Sequence, residues 1–374
     1  MRRSPIKVLS VVGARPNFMK VAPIVKALAA HPAGFEQVLV HTGQHYDARM
    51  SDAFFVDLQM PAPDFHLGVG SGSHAQQTAA VMVGIEPVLK AVSPDLLIVV
   101  GDVNSTLAAA LTAKKLGVPV AHVEAGLRSY DMSMPEEINR RCVDSISDEL
   151  FTPDRLAGET LLREGVPEGR IHFVGNVMID TLVTHLPAAR RLAQHRRWGL
   201  VPRGYVTLTL HRPSNVENPE TLAGLLNAVR DAAGDLPVIF PIHPRTLARV
   251  DAFGLQGLFR AEPDGPGLFV TEPLSYLPFL SLNDSARIVV TDSGGLQEES
   301  TVLGVPCVTL RTTTERPITV TEGTNRLAGV TPEGVRAGIR EALDAAPETM
   351  QRPEKWDGRA SERIADTIAL RYRG

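Results

Sequence analysis

Arg287 to Leu303 reads RIVVTDSGGLQEESTVL, and the succession of residue types in it decides the class of fold. Ile288, Val289 and Val290 form the unbroken apolar run of a parallel strand buried on both faces, and Leu296 to Leu303 has the pattern of a following helix. Ser293, Gly294 and Gly295 join the two. Adjacent glycines let a ligand approach the backbone, and the free N–H groups of the helix's first turn direct the positive end of its dipole at whatever sits there. That favours a diphosphate. One turn later Glu298 and Glu299 offer carboxylate oxygens, which repel a phosphate but accept hydrogen bonds from a ribose diol. A capping serine with a glycine pair for tight strand–helix packing accounts for the same residues without a ligand.

Outward from this stretch, strand, loop and helix alternate along nearly the whole chain. In the first half, strands are expected at Ile6–Val12, Gln37–His41, Leu96–Val100, Val118–Val123, Glu149–Thr152 and Ile171–Val174. Helices are expected at Phe18–Ala30, Met50–Leu58, Gln76–Val92, Glu136–Ser147 and Arg155–Glu164, with loops at Gly13–Asn17 and over 61–74. A basic helical stretch from Met178 to about Arg197 leads into a second series of strands at Val206–Leu210, Val238–Ile242, Leu268–Val270, Ile288–Thr291 and Cys307–Leu310. This rhythm predicts an α/β protein of two Rossmann-like, doubly wound parallel-sheet domains. The expected boundaries are 1–174 and 175–356, with the helix Ala360–Tyr372 in a segment 357–374 that packs back on the first domain.

Length and composition agree with two domains: 374 residues, 44% apolar and 21% charged, against roughly 150 to 200 residues per domain. A formal charge of −4 without a long basic run argues against nucleic acid or a membrane surface as partner. Cys142 and Cys307 belong to no CxxC or Cys/His cluster, so neither a zinc site nor a disulfide framework is expected, and a reducing compartment is. Val8–Val12 is too short for the apolar core of a signal peptide and no stretch approaches a membrane span, which makes the expected location cytoplasmic. His41 and His45 flank a Thr-Gly-Gln turn, but no third ligand has metal-site spacing.

Ligands of doubly wound sheets bind beyond the carboxyl ends of the strands, and the polar residues of this chain collect there. Two sheets facing one another would aim Arg15, Asn17, Lys20, Asp102, Glu124, His211, His243, Ser293 and Arg316 into one cleft. Arg15, in GARPNFMK, can grip a phosphate bidentately; Lys20 lies one turn into the helix, where it can also simply solvate the surface. Asp102 ends an apolar strand and also stands where a helix cap would. Glu124 is followed by AGLR rather than a helix, which favours a functional carboxylate. Glu136 opens a helix after Pro135, a place the dipole alone justifies. His211 can act as acid, phosphate donor or loop polar group. For Arg316 the innocent partner is a carboxylate such as Glu315.

Taken together, GARPNFMKVAPI, HTGQH, VVGDVNSTLAA, HVEAGLRS, PEEINR, LTLHRPSN, PIHPRT, TDSGGLQEE and TTTERP run in the order seen in the non-hydrolysing UDP-N-acetylglucosamine 2-epimerases, which the chain resembles over about 320 residues. The resemblance implies a glycosyltransferase-B-like architecture, with UDP held mainly by the second domain, and a homodimer. It implies inversion at C2 of a UDP-2-acetamido sugar without metal or nicotinamide. Carried over by motif, Ser293, Gly294 and Gly295 hold the diphosphate, Glu299 the ribose hydroxyls and Phe279 the uracil. Arg15, His211 and Arg316 support the phosphates; Lys20 and His243 join the substrate-binding set; Asp102, Glu124 and Glu136, with His211, become the acid/base candidates. Asn17, HRPSN and PIHPRT depart from the commonest pattern, which holds an acidic residue after Arg-Pro, HRREN and PxHxNP. These departures bear on the sugar accepted and on activation by a second UDP-sugar.

Overall fold

The computed structural model describes residues 5–44, 60–345 and 352–373. The helix expected over Met50–Leu58, His45 and the side chain of Arg15 lie outside the described residues. The chain divides into two compact units, Met1–Thr181 with Glu354–Gly374, and Leu182–Pro353.

In the first unit, seven parallel strands lie side by side. They are β1 (Ile6–Val12), β2 (Phe35–His41), β3 (Phe65–His66), β4 (Leu96–Val100), β5 (Val120–Val123), β6 (Glu149–Thr152) and β7 (Ile171–Phe173). Their order is β3-β2-β1-β4-β5-β6-β7. The sequence LLIVV of β4 is buried along its whole length, as a strand covered by helices on both faces must be. Strand order reverses between β1 and β4, so the loops after these strands occupy the switch point where doubly wound sheets take ligands.

The second unit repeats the plan with β8 (Val206–Thr209), β9 (Pro237–Pro241), β10 (Gly267–Thr271), β11 (Ile288–Thr291), β12 (Cys307–Thr309) and β13 (Asn325–Leu327). Here the order is β10-β9-β8-β11-β12-β13, and the switch point falls between β8 and β11. The quoted stretch is therefore the centre of its sheet. Val206, Leu208, Val238, Phe240, Ile288 and Val290 form one core with Leu225, Leu226 and Val229 of the helix Pro219–Ala233.

Four expectations need correction. The helix expected from Phe18 begins at Arg15, because a proline is tolerated in the first turn and Asn17 Oδ1 accepts from Ala14 N at 3.1 Å. Strand β3 lies inside the expected loop over 61–74, and β13 was not expected at all; both are edge strands of two or three residues without an apolar run. The change of unit comes between Thr181 and Leu182, within the helix Val177–Leu192, rather than at Gly175–Asn176. Thr181 Oγ1 donates to Met19 O at 2.5 Å, which holds that helix's first turns to the first unit.

The segment from Glu354 onward belongs to the first unit. Trp356 is fully buried and donates from Nε1 to Pro153 O at 3.0 Å. The helix Ala360–Tyr372 packs against Arg15–Ala30, and Asp180 accepts from Ala360 N and Ser361 N at 3.0 and 2.6 Å, a carboxylate at the positive end of a helix dipole. Among the described residues, no helix is long and apolar enough to cross a membrane.

Candidate active site

Two groups of side chains stand at the two switch points. In the first unit, β4 ends in Gly101-Asp102 and β5 in Glu124-Ala125-Gly126. Gly101 has a left-handed backbone (φ 70°), and a methyl there would stand 3.2 Å from Lys20 Nζ and 3.3 Å from Glu124 Oε2. Glycine is needed for both reasons. Lys20 and Glu124 are a buried ion pair. Lys20, expected in the substrate-binding set, is the cation beside an acid candidate. Glu124 itself is left-handed at φ 71°, a conformation that costs a residue with a Cβ about 1–3 kcal/mol and that gathers at functional sites.

Asp102 does not cap the helix that follows it, whose start carries no side-chain cap. Arg140 Nε donates to Asp102 Oδ2 at 3.0 Å and its Nη2 lies 3.0 Å from the same oxygen, and Asn139 Nδ2 donates to Asp102 O at 2.8 Å. Asp102 Oδ1 keeps no partner among the described residues. The helix Pro135–Ile146 that supplies these donors also carries Glu136 and Glu137. Glu137 is fully buried and accepts from Ser129 N at 2.8 Å and Arg140 Nη1 at 2.8 Å. Burial would raise its pKa, but Ser129 N–H and Arg140 more than offset this and hold it low. Glu136 is half-buried and has no partner among the described residues. Of the adjacent pair, Glu137 is locked and Glu136 is available.

Asn17 replaces the commoner acid with consequence: its Nδ2 donates to Val100 O at 2.8 Å, a bond no carboxylate could make. It ties the loop after β1 to the end of β4. His41 is buried against Phe18 and His66, with ring centroids 5.3 and 4.5 Å away; burial first, then His66, lowers its pKa to about 4.

In the second unit, Asp292 organises the ends of β8 and β11. It is fully buried and accepts from His211 N at 3.0 Å, Arg212 N at 2.9 Å and Asn215 Nδ2 at 3.1 Å. His211 Nδ1 lies 2.8 Å from Asp292 Oδ1. Burial would raise the Asp292 pKa, yet the imidazole and the N–H groups hold it below the usual carboxylate range. The ring of His211 is half exposed, and Nε2 has no partner among the described residues.

The strand–helix turn gives a ligand-ready geometry. Ser293 stands at the N-cap of the helix Gly294–Leu303 but makes no capping bond, so its hydroxyl is not spent on the helix. A methyl at Gly294 would sit 2.5 Å from Arg316 Nη1 and 2.8 Å from Glu315 Oε1, whereas at Gly295 nothing lies within 4 Å. Only the first glycine serves packing; the second borders open space. Arg316 does have the innocent partner: Nη1 donates to Glu315 Oε1 at 2.5 Å, and Nε lies 2.9 Å from Glu298 Oε1. Arg311 Nη2 donates to Glu315 Oε2 at 2.7 Å.

Glu298, Glu299, Glu315, Arg311 and Arg316 are all buried, and Arg311, Arg316 and, at 3.9 Å, Arg212 pair with Glu298 and Glu315. Glu299 has no ion pair among the described residues, and its pKa is pushed up to about 8 by burial and then by Glu298. His243, expected to bind substrate, is exposed and accepts from Arg245 N at 3.2 Å as the N-cap of the helix Pro244–Ala252. Phe279 is half-buried on the helix Tyr276–Ser285. The residues that sequence reasoning missed are partners rather than actors: Arg140, Asn139, Asp292 and Arg311. Arg140 had a visible signal, since it follows Glu136 by one helical turn in PEEINR.

A model of the family described as UDP-N-acetylglucosamine 2-epimerase matches residues 26–369. The chain is 40% identical over 369 residues to the UDP-N-acetylglucosamine 2-epimerase of Methanocaldococcus jannaschii, covering 96% of this chain and 98% of that one. It is 38% identical to the UDP-2,3-diacetamido-2,3-dideoxy-D-glucuronate 2-epimerase of Pseudomonas aeruginosa, over 97% and 99% of the two chains. Among solved structures, the M. jannaschii UDP-GlcNAc 2-epimerase in complex with UDP-GlcNAc and UDP matches with a TM-score of 0.88 at 39% identity, covering 98% of this chain and 100% of that one.

Proposed function

The chain belongs to the UDP-N-acetylglucosamine 2-epimerase family, with the glycosyltransferase-B-like fold of two parallel-sheet α/β domains, and from that membership we infer that it epimerises UDP-N-acetylglucosamine at C2 to UDP-N-acetylmannosamine. The second unit holds UDP: the Ser293-Gly294-Gly295 turn and Arg316 take the diphosphate, Glu299 the ribose and Phe279 the uracil. The first unit acts on the sugar through Asp102, Glu124 and Glu136. The observation that carries this assignment is the pair of carboxylates at the ends of β4 and β5, each held by one cation, Asp102 by Arg140 and Glu124 by Lys20.

The chemistry needs such a set. C2 carries an acetamido group and no adjacent carbonyl, so direct removal of its hydrogen leaves an unstabilised carbanion. Departure of UDP changes this. The C1–O bond breaks with its electron pair going to the diphosphate, C1 gains positive character, and a carboxylate takes the C2 proton to leave 2-acetamidoglucal and bound UDP. The helix dipole and Arg316 stabilise the leaving anion, a fixed electrostatic contribution that often dominates catalysis. His211, oriented by Asp292, serves the same oxygen atoms or hands them a proton. A proton then reaches the opposite face of C2 while a diphosphate oxygen rebonds to C1. Inversion calls for acid/base groups on both faces.

Incubation with UDP-N-acetylglucosamine in D2O, without any acceptor, is expected to place deuterium at C2 and to form the manno epimer. Undeuterated sugar would defeat the reading, and free UDP accumulating with free sugar would mark a hydrolysing enzyme. The likeness to the P. aeruginosa diacetamido-glucuronate epimerase supports a second reading, a UDP-diacetamido uronate as substrate. The same exchange assay over a panel of UDP-sugars separates the two. We expect a homodimer, checked by light scattering of the eluting peak.

A further inference from the structure

A buried carboxylate on the helix Pro135–Ile146 ties together the two turns that carry Asp102 and Glu124. Asp144 is 1% exposed and His122, on β5, is fully buried. Asp144 Oδ1 lies 2.7 Å from His122 Nδ1, and Oδ2 accepts from Gly126 N at 3.1 Å and Arg128 Nη1 at 2.7 Å. His122 Nε2 lies 2.8 Å from Gly101 O. A carbonyl oxygen only accepts, so Nε2 carries the hydrogen that faces Gly101, and Nδ1 faces the carboxylate. Gly101 immediately precedes Asp102, and Gly126 closes the turn that opens with Glu124.

The Glu124 turn needs such a brace. Gly101 and Gly126 take their left-handed φ of 70° and 84° freely, but Glu124, at 71°, holds a conformation that a residue with a Cβ keeps only where the surroundings over-determine it. Gly101 N donates to Val123 O at 3.0 Å, which joins the two strand ends side by side. Asp144 adds the cross-tie. The outer charge is closed off by Glu164, which accepts from Arg128 Nε and Nη2 at 2.9 and 2.6 Å. Buried ion networks of this kind add little net stability compared with apolar packing, because desolvation offsets the attraction. Their use lies in geometry.

We propose that Asp144, acting through His122 on Gly101 and directly on the Gly126 N–H, is the positioning residue that sets the spacing of Asp102 and Glu124 for proton transfer at C2. This rests on the reading that those two acids move the C2 proton. A displacement of a catalytic group by about 1 Å can cost about 100-fold in rate, so a cross-tie that touches neither acid can still govern turnover.

The test is Asp144→Asn, which keeps the shape but turns an amide toward the Gly126 N–H and Arg128. The C2 exchange rate at saturating UDP-N-acetylglucosamine is expected to fall about 10- to 100-fold, while KM and the UDP dissociation constant stay within about twofold of wild type. His122→Gln, whose amide nitrogen can still reach the Gly101 carbonyl, should retain several times the turnover of His122→Asn, which cannot. A folded Asp144→Asn with wild-type turnover would overturn the proposal, and so would equal losses in turnover and UDP affinity. If Asp144→Asn fails to fold, the two His122 variants decide alone: equal turnover defeats the proposal. Wild-type protein that exchanges no deuterium with any UDP-sugar would instead defeat the epimerase reading itself.

Discussion

Glu124 and Glu299 are both buried carboxylates, and the proposed function gives them opposite tasks. Glu124 has a cation against it and a strained backbone beneath it, the setting of a group held ready for proton transfer. Glu124→Gln is expected to lower C2 exchange by about 10²- to 10⁴-fold with UDP binding kept; unchanged turnover would remove it from the mechanism. Glu299 has no paired cation among the described residues and is pushed up to about 8. On the proposed assignment ribose hydroxyls donate to its ionised form, so UDP binding would release a proton wherever the free group is protonated. Affinity for UDP should therefore rise by up to about tenfold per pH unit below about pH 8 and level off above it. The unliganded protein behaves in the opposite sense: a carboxylate raised above its unfolded value of 4.5 stabilises the fold at low pH and loses that contribution as pH rises toward about 8. Calorimetric titration of UDP from pH 6.5 to 8.5 checks the slope, and Glu299→Gln should flatten it.

At the scale of elements, the turn between β11 and its helix sets a packed glycine beside one that borders open space. Gly294→Ala must push aside Arg316 or Glu315, which are locked to one another, whereas Gly295→Ala meets nothing. The expected result is that Gly295→Ala leaves the melting temperature unchanged and weakens UDP binding by about tenfold or more, a methyl having entered space that the diphosphate needs. A variant with both values unchanged would show that the diphosphate sits elsewhere. This element was legible because strand, glycine pair and helix are contiguous and each signal is local. The edge strands β3 and β13 were not, since pairing with a neighbour makes them strands and no apolar run announces them. Site partners failed for the same reason: Lys20 and Glu124 are 104 residues apart, Arg140 and Asp102 38 apart. Residue types at strand ends can be read from a sequence; which cation meets which carboxylate is set by the sheet order.

For the whole molecule, the telling residue is Trp356, fully buried in the first unit, with its indole N–H on Pro153. Trp356→Ala should cost the first unit about 3–5 kcal/mol and lower its unfolding transition, while UDP affinity, assigned to the second unit, persists. Loss of both together would show that the units do not unfold independently. The chain thus starts and finishes in one unit and builds the other midway. A ribosome emitting this polypeptide releases strands β8 to β13 of the second unit before the residues from Glu354 onward that join the first, so the later-encoded lobe can mature while the earlier one still waits for the helix Ala360–Tyr372.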